Sequence, residues 1–530
     1  MSKDKANANA NAGGTWLGGA SWATPSLHQL WQTLVPTLGA LVLVLLLAYL
    51  LYRRLSRRNR GRFVVVAVPA ADGKKRERLR LPVQRWVRIG HYDPSASALL
   101  LSYGTRGDVE PLIAFADRLQ RIGLKPRLCA PTCFRDLVEG ADVPFESIGV
   151  DEVDQPPEVF AQENGSIADV LGVLAKVYPQ LAEGCLRAAE RERVSVIVCT
   201  ALTRSIAMHV AEKLRVPCLC VHFVASDVPT RAFPPCEYMG ISRRALRTLP
   251  SSVHGLFNKA LYSWRGLQIV RAAVSTGLAA ADGHFRTKVA DLRAADALQS
   301  LTDVTAQPAF HAYAERVQPR PADWPSNAMV CGFWRRAQTQ DSVPEALASF
   351  MRAQPRDRLV IVTFGSMQIP DELREAVVQA ALAESCSVVV CAPREPGQDV
   401  TIENKGPKLL YVRTSIPYDV VFPRCACVVH HGGAGTSASA LYAGTPSLVI
   451  PILRWSDQPY WASRLDAIGC GVHVPRNSLA TDEALRRGIR RSLQSHVHAR
   501  AQAVRKRLKA SLDGASIAAA ILKQYCEELS

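Results

Sequence analysis

Residues 430–436 read HHGGAGT. Gly432, Gly433 and Gly435 strip the side chains from a turn that joins an apolar run, residues 425–429, to a stretch of helical character, residues 437–443. A strand that enters a helix through so bare a turn leaves the N–H groups of Ala434, Gly435 and Thr436 facing the helix N-terminus, where unpaired donors and the helix dipole favour an anion such as a phosphate. His430 or His431 could add a hydrogen bond or a charge to the same anion, the other then facing the core. After the next apolar run come Asp457 and Gln458, adjacent acceptors and donors suited to hydroxyl groups. A phosphate cradle beside a reader of hydroxyls describes a nucleotide sugar.

Those residues need a frame that holds them at strand ends. From residue 96 short apolar runs alternate with helical periodicity: 97–103, then a turn and a helix with Leu112, Phe115, Ala116 and Leu119 on one face, and further runs at 125–131, 194–200 and 216–223. A second series starts near residue 357, with runs at 358–366, 387–393, 409–414, 425–433, 447–452 and 469–475. A more helical region, 240–330, lies between them. Repeated strand–helix units predict parallel sheets with helices on both faces. Two such sheets, facing each other, predict a cleft at the carboxyl ends of their strands that holds two substrates.

The chain has 530 residues and a net charge of +17, but 15 Lys/Arg against 4 Asp/Glu fall in residues 1–95, so +6 is left for the other 435. The basic excess is therefore local, and it argues against nucleic acid as the partner. Residues 34–52 carry no charge over 19 positions, roughly 28 Å as a helix, which predicts one transmembrane span. Arg53, Arg54, Arg57, Arg58, Arg60 and Arg62 follow it, and the positive-inside rule puts the larger part of the chain in the cytosol. The fourteen cysteines all lie beyond residue 128, mostly in apolar runs, as reduced core residues do. Cys425 and Cys427 with His430 and His431 offer a metal-site alternative, which lacks a second ligand cluster. The expected organisation is a non-cytosolic tail (1–33), the span (34–52), a basic juxtamembrane linker (53–95) that is either solvated or set against anionic lipid, an acceptor-binding domain (96–335) and a donor-binding domain (336–530).

Residues 425–465 resemble the donor signature of the UDP-glycosyltransferases, specifically the branch acting on sterols and lipid aglycones, with its HHGGAGT and DQPFW elements. GTRGDVEP at 104–111, PTRAFP at 229–234, DWP to GFW at 323–334, VTFGSM at 362–367 and RTSIPYDVVFPR at 413–424 match that branch in the same order, so the likeness runs over roughly residues 97–500. The resemblance implies a GT-B fold, two Rossmann-like domains facing across a cleft, and inverting, metal-independent transfer of a sugar from a UDP-sugar co-substrate, with no cofactor. It further implies that His430, Ser366, Gly435 and Thr436 contact the diphosphate, Ile416 sits at the uracil, Asp457 and Gln458 hold the sugar, and Asp108 is the catalytic base. Read from its own surroundings, Asp108 is a base or a cap of the following helix, and Arg106 either orients it or is solvated. The chain departs from the family's compact PFFGDQ turn: residues 451–458 are two longer, with Arg454 and Trp455 inserted.

The expectation is a membrane-anchored enzyme moving a sugar, glucose by default, to a sterol or related lipid hydroxyl. Transfer to another lipid or small apolar alcohol is the enzymatic alternative; a non-catalytic lipid-binding scaffold of the same fold is the other.

Overall fold

A computed structural model describes residues 62–69, 76–88, 90, 93, 95–150, 167–225, 228–235, 251–292, 307–336, 343–365, 367, 369–392, 401–453, 456–475 and 482–530. The uncharged run at 34–52 lies outside the described residues, as do Ser366, Arg454 and Trp455. Among the described residues no helix is long and apolar enough to cross a membrane.

The first lobe is built on β3 (Ser97–Leu101), β4 (Lys125–Ala130), β5 (Phe145–Ser147), β6 (Val194–Thr200), β7 (Cys218–His222), β8 (Ala309–His311) and β9 (Ala328–Val330), all parallel in the order β5-β4-β3-β6-β7-β8-β9. Its helices include α1 (Arg106–Arg121), α2 (Ile167–Arg191), α3 (Arg204–Leu214), α4 (Ser251–Ser275) and α5 (Leu278–His284). The second sheet has β10 (Leu359–Thr363), β11 (Ser387–Cys391), β12 (Ile402–Gly406), β13 (Leu409–Val412), β14 (Cys427–His430), β15 (Ser447–Val449) and β16 (Gly471–His473) in the order β12-β13-β11-β10-β14-β15-β16. Only β12 in that sheet runs antiparallel to its neighbour. The central strands β3, β6 and β10 are buried at every position, which is why they read as unbroken apolar runs and not as alternating ones.

In each sheet the chain starts at a central strand, goes out to one side and returns to the other: β3 lies between β4 and β6, β10 between β11 and β14. The two resulting switch points are where a doubly wound sheet opens a crevice for ligand. Aromatic contacts bring the lobes together, Phe333 against Trp461 at 5.7 Å between centroids and Phe233 against Tyr460 at 6.1 Å. Trp461 is fully buried and Trp334 stacks on Phe115 at 4.3 Å, so both tryptophans are packing residues.

The structure departs from the linear plan at both ends. Part of the stretch expected to be a linker folds as an antiparallel hairpin, β1 (Arg62–Pro69) with β2 (Arg76–Val83). Its inner face buries Val64, Val66, Leu81 and Val83 in the first lobe's core, while Phe63, Val65, Arg78 and Arg80 point out. Period-two alternation drives this; it is visible in RERLRLPV once charge is set aside. Trp86 then donates to the Val216 carbonyl at 3.1 Å. At the other end the last helix leaves the second lobe and packs on α1 and β1, with Ala518, Ile521, Leu522 and Tyr525 in the first lobe's core. The chain crosses between lobes at Gly332 and again at Gly514, in backbone contact: a Cβ on Gly514 would strike the Gly332 carbonyl.

Candidate functional site

β14 ends at His430, paired in register with Thr363 of β10, so the HHGGAGT turn emerges at the second lobe's switch point. Gly432 takes φ +96°, and a side chain there would press on Val449 and the Gln458 carbonyl. At Gly433 a Cβ would strike the His431 ring, whose Cε1 also sits 3.2 Å from where a Cβ on Gly365 would be. The two glycine turns thus clasp His431 between them. Gly435, in contrast, has nothing within 4 Å of the Cβ position, and the first turn of α6 (Ala434–Ala443) is open there. Among the described residues no protein acceptor meets the N–H groups of Gly435 and Thr436. These are the donors the sequence assigns to an anion.

The third donor is engaged. Asp457, at the start of α7 (Gln458–Ala467), accepts the Ala434 N–H on Oδ2 at 3.0 Å. Its carboxylate occupies the helix N-terminus as an anion would. Burial pushes the Asp457 carboxyl up to about 7; the Ala434 N–H opposes this and the Asp108 carboxylate adds to it. Asp108 belongs to the first lobe, just after β3, and Asp457 to the second, after β15, each beyond the carboxyl end of its strand.

Both histidines are buried, and burial drives their pKa values down, His430 to about 3 and His431 to about 4. Neither carries the positive charge the sequence allowed; they are neutral hydrogen-bonding groups. His430 Nδ1 accepts the Gly432 N–H at 3.1 Å, which makes Nε2 the protonated nitrogen, and Nε2 is buried with no partner. His431 Nδ1 is likewise buried without one. Such groups cost about 1–3 kcal/mol each unless a ligand or water meets them. We expect His430→Ala to weaken UDP-sugar binding roughly 10- to 150-fold, the loss of one hydrogen bond to a charged acceptor; an unchanged Kd by calorimetry would make His430 a core residue.

Two other assigned residues are turned to different work. Gln458 is buried, its Oε1 accepting the N–H groups of Ile452 and Leu453 at 2.8 and 2.9 Å and its Nε2 directed at Met367 Sδ at 3.1 Å. Its carbonyl oxygen fixes the end of the strand-to-helix loop. Ile416 is 5% exposed, in the cluster that holds Phe422, Cys425 and Val428. A base docking there would meet the loop's backbone and not this side chain.

In the first lobe Asp108 is the third residue of α1 and closes a capping box with Thr105: Thr105 N–H donates to Asp108 Oδ2 at 2.8 Å, and Thr105 Oγ1 accepts the Gly107 N–H. The T-x-x-D spacing of residues 105–108 is the sequence signal for that box. Gly104, at φ +147°, makes room for the carboxyl, which a Cβ there would strike. Oδ2 also takes the Thr105 hydroxyl at 3.2 Å. Burial raises the carboxyl to about 6 against the Thr105 hydrogen bonds, into the range of a general base. Arg106 pairs with Glu110 at 3.1 Å and does not orient Asp108.

Sequence reasoning missed Ser102 and Thr200. They follow β3 and end β6, flanking the first lobe's switch point, and their hydroxyls are buried without partners. The register of the two runs, once paired, would have shown them. Cys425 and Cys427 are buried, their thiols pushed up by burial, and among the described residues no group of His, Cys, Asp and Glu could hold a metal.

Comparison with known proteins assigns each lobe. Residues 98–234 match the glycosyltransferase family 28 N-terminal domain, and residues 370–522 match the C-terminal domain of erythromycin biosynthesis protein CIII-like proteins. A sterol 3-beta-glucosyltransferase of Arabidopsis thaliana is 27% identical over 401 residues, 72% of this chain and 58% of that protein; a second from the same plant is 28% identical over 78% of this chain and 66% of its own length. The chain thus spans less than two thirds of either. The vancomycin aglycone glucosyltransferase of Amycolatopsis orientalis is 27% identical over 80% of this chain and 96% of its own. Among solved structures, the glycotransferase of kitacinnamycin superposes with TM-score 0.55 at 18% identity, over 82% of this chain and all of that one, and spinosyn forosaminyltransferase with 0.55 at 16%, over 81% and 99%. These last show the shared two-lobed fold.

Proposed function

We propose that the chain, similar in its two lobes to glycosyltransferase domains and over most of its length to sterol 3-beta-glucosyltransferases, transfers glucose from UDP-glucose to the hydroxyl of a sterol or related membrane lipid, with inversion. The observation that carries the reading is the open helix N-terminus at Gly435 and Thr436 beside Asp457, with Asp108 of the other lobe near enough to raise the Asp457 carboxyl. The diphosphate takes the N–H groups of Gly435 and Thr436 with His430 Nε2, and Asp457 exchanges its hold on Ala434 for the sugar hydroxyls. The acceptor oxygen attacks the anomeric carbon from the face opposite UDP, the bond to the diphosphate oxygen breaks, and the acceptor proton passes to Asp108. The developing negative charge on UDP is met by α6, so the proposed reaction contains no metal.

In this reading residues 34–52 span an endomembrane, the endoplasmic reticulum being one such membrane, with residues 1–33 beyond it and residues 96–335 and 336–530 working in the cytosol as acceptor and donor domains. Similarity to a vancomycin aglycone glucosyltransferase supports a second reading, another apolar alcohol as acceptor. The test is the full chain in detergent with dispersed sterols and UDP-glucose, UDP-galactose or UDP-N-acetylglucosamine, with products weighed by mass spectrometry. A sterol gaining one hexose from UDP-glucose is the expected result. UDP release without a heavier sterol would move the acceptor to the second reading, and absence of UDP binding and release would sink the enzyme.

A further inference from the structure

Helix α4 presents an apolar line to the outside. Its 25 residues include Lys259, Arg265 and Arg271 and no acid. Six large apolar side chains are exposed among the described residues, and three of them, Leu256 at 62%, Leu267 at 47% and Val274 at 59%, are on this helix. At about 100° per residue, Leu267 and Val274 lie within roughly 20° of Leu256, so the three form one line about 27 Å long. Ala260 and Val270 are half-buried close beside it, and Arg271 is exposed on its flank. The opposite face, with Asn258, Tyr262, Ala272 and Ala273, is the buried one, and the helix packs there on α2 and α5. A helix apolar on the face that packs and again on the face that does not is built for a second apolar medium.

The position of the line connects it to the cleft. Asn258 donates to the Arg231 carbonyl at 2.9 Å, Lys259 pairs with Asp323 at 3.4 Å, and Gly255 packs on the Arg231 side chain. Arg231 belongs to the segment that follows the carboxyl end of β7, on the side where the sheet opens to ligand. The line therefore begins beside the cleft mouth and runs away along the first lobe.

We propose that α4 lies in the interface of an anionic lipid bilayer, so that an acceptor dissolved in the bilayer enters the cleft along the segment held by Asn258 and Lys259. Three observations select lipid as the occupant. Lys259 and Arg271 flank the line about 60° to either side and the helix carries no acid, which matches an anionic surface. A 19-residue uncharged run and five arginines precede the first described strand, so the chain is supplied with a second lipid-seeking segment. An exposed apolar stripe with basic flanks on one helix is the form that lies along a membrane surface. The purpose of this surface rests on the lipid-acceptor reading above; its geometry does not.

The test uses the full chain reconstituted in vesicles with and without an anionic lipid, in a Cys133→Ser background because Cys133 is an exposed thiol. Leu256→Cys, Leu267→Cys, Val274→Cys and, on the exposed side of α2, Glu183→Cys each carry an environment-sensitive fluorophore, read against quenchers fixed to the acyl chains. Quenching at 256, 267 and 274, stronger with anionic lipid and absent at 183, is expected. Water-like, unquenched emission at all three positions overturns the proposal and hands the line to a protein partner. The triple variant Leu256→Glu, Leu267→Glu, Val274→Glu should lose about tenfold or more of transfer to a bilayer-held sterol, the scale expected when three apolar side chains lose a lipid contact, and keep transfer to a detergent-dispersed one. Unchanged transfer from vesicles also overturns it. If the unaltered chain glucosylates no sterol in either format, the function fails while the fluorescence still decides the surface.

Discussion

Asp108→Asn should lower sugar transfer by about 10²- to 10⁴-fold, the range a positioned general base contributes, with UDP-glucose affinity nearly unchanged. The asparagine keeps an oxygen that can accept the Thr105 N–H, so the capping box survives. Stability is not expected to suffer. A carboxyl whose folded pKa of about 6 lies above the ordinary aspartate value costs the fold stability as pH rises through that window, because burial penalises the ionised form. Replacing it with a neutral amide removes that penalty at pH 7 and above. For the unaltered enzyme the ionised form is the working base, so kcat/KM should fall about tenfold per unit below about pH 6. Rapid-quench measurement of single-turnover transfer, with calorimetry for the donor, checks both parts. Turnover in the variant equal to that of the unaltered enzyme would leave Asp108 a cap and nothing more.

A chain that begins at residue 96 should fail to fold stably. It lacks β1 and β2, whose Val64, Val66, Leu81 and Val83 are between 0 and 8% exposed in the first lobe's core. At about 1.5–3 kcal/mol per fully buried side chain, the loss is on the order of 6–12 kcal/mol as an upper bound, against a typical domain stability of about 5–15 kcal/mol. It also removes the Trp86 hydrogen bond to Val216 and leaves the last helix with only α1 of its two partners. Val66→Asp in the full chain should approach the same result by burying an unpaired charge. Urea denaturation and limited proteolysis measure it. A cooperative transition for the shortened chain, with the urea midpoint of the full one, would show the hairpin to be dispensable.

Much of this was legible beforehand because parallel strands are buried on both faces and announce themselves as apolar runs. The runs at 97–103, 194–200, 358–366 and 425–433 each yielded a strand in the expected series. The bare turn at 432–435 was legible because glycine there answers a local demand, a positive φ or the nearness of a ring. The hairpin was hidden by its own arginines. Arg78 and Arg80 made the segment read as charge first, while Leu81 on the other side of the same strand is buried. Gln458 and Ile416 could not be placed from spacing, because what they touch depends on how far a loop folds back. The neutrality of His430 and His431 follows from burial depth, which belongs to the assembled sheet and not to the dipeptide. The destination of the last helix was equally out of reach, since an amphipathic pattern records that one face is covered but not by which lobe.

That last helix has a consequence for how the protein is made. The first lobe's core is missing Ala518, Ile521, Leu522 and Tyr525 until the final residues have been synthesised. About 180 residues separate the end of the first lobe at 335 from the start of that helix at Gly514, and at about 5–20 residues per second a ribosome needs roughly 10–40 s to deliver them. Through that interval the surfaces of α1 and β1 that receive the helix stand uncovered. The usual order, in which an N-terminal domain finishes folding while its successor is still emerging, is therefore closed to this chain, and its two lobes must mature together.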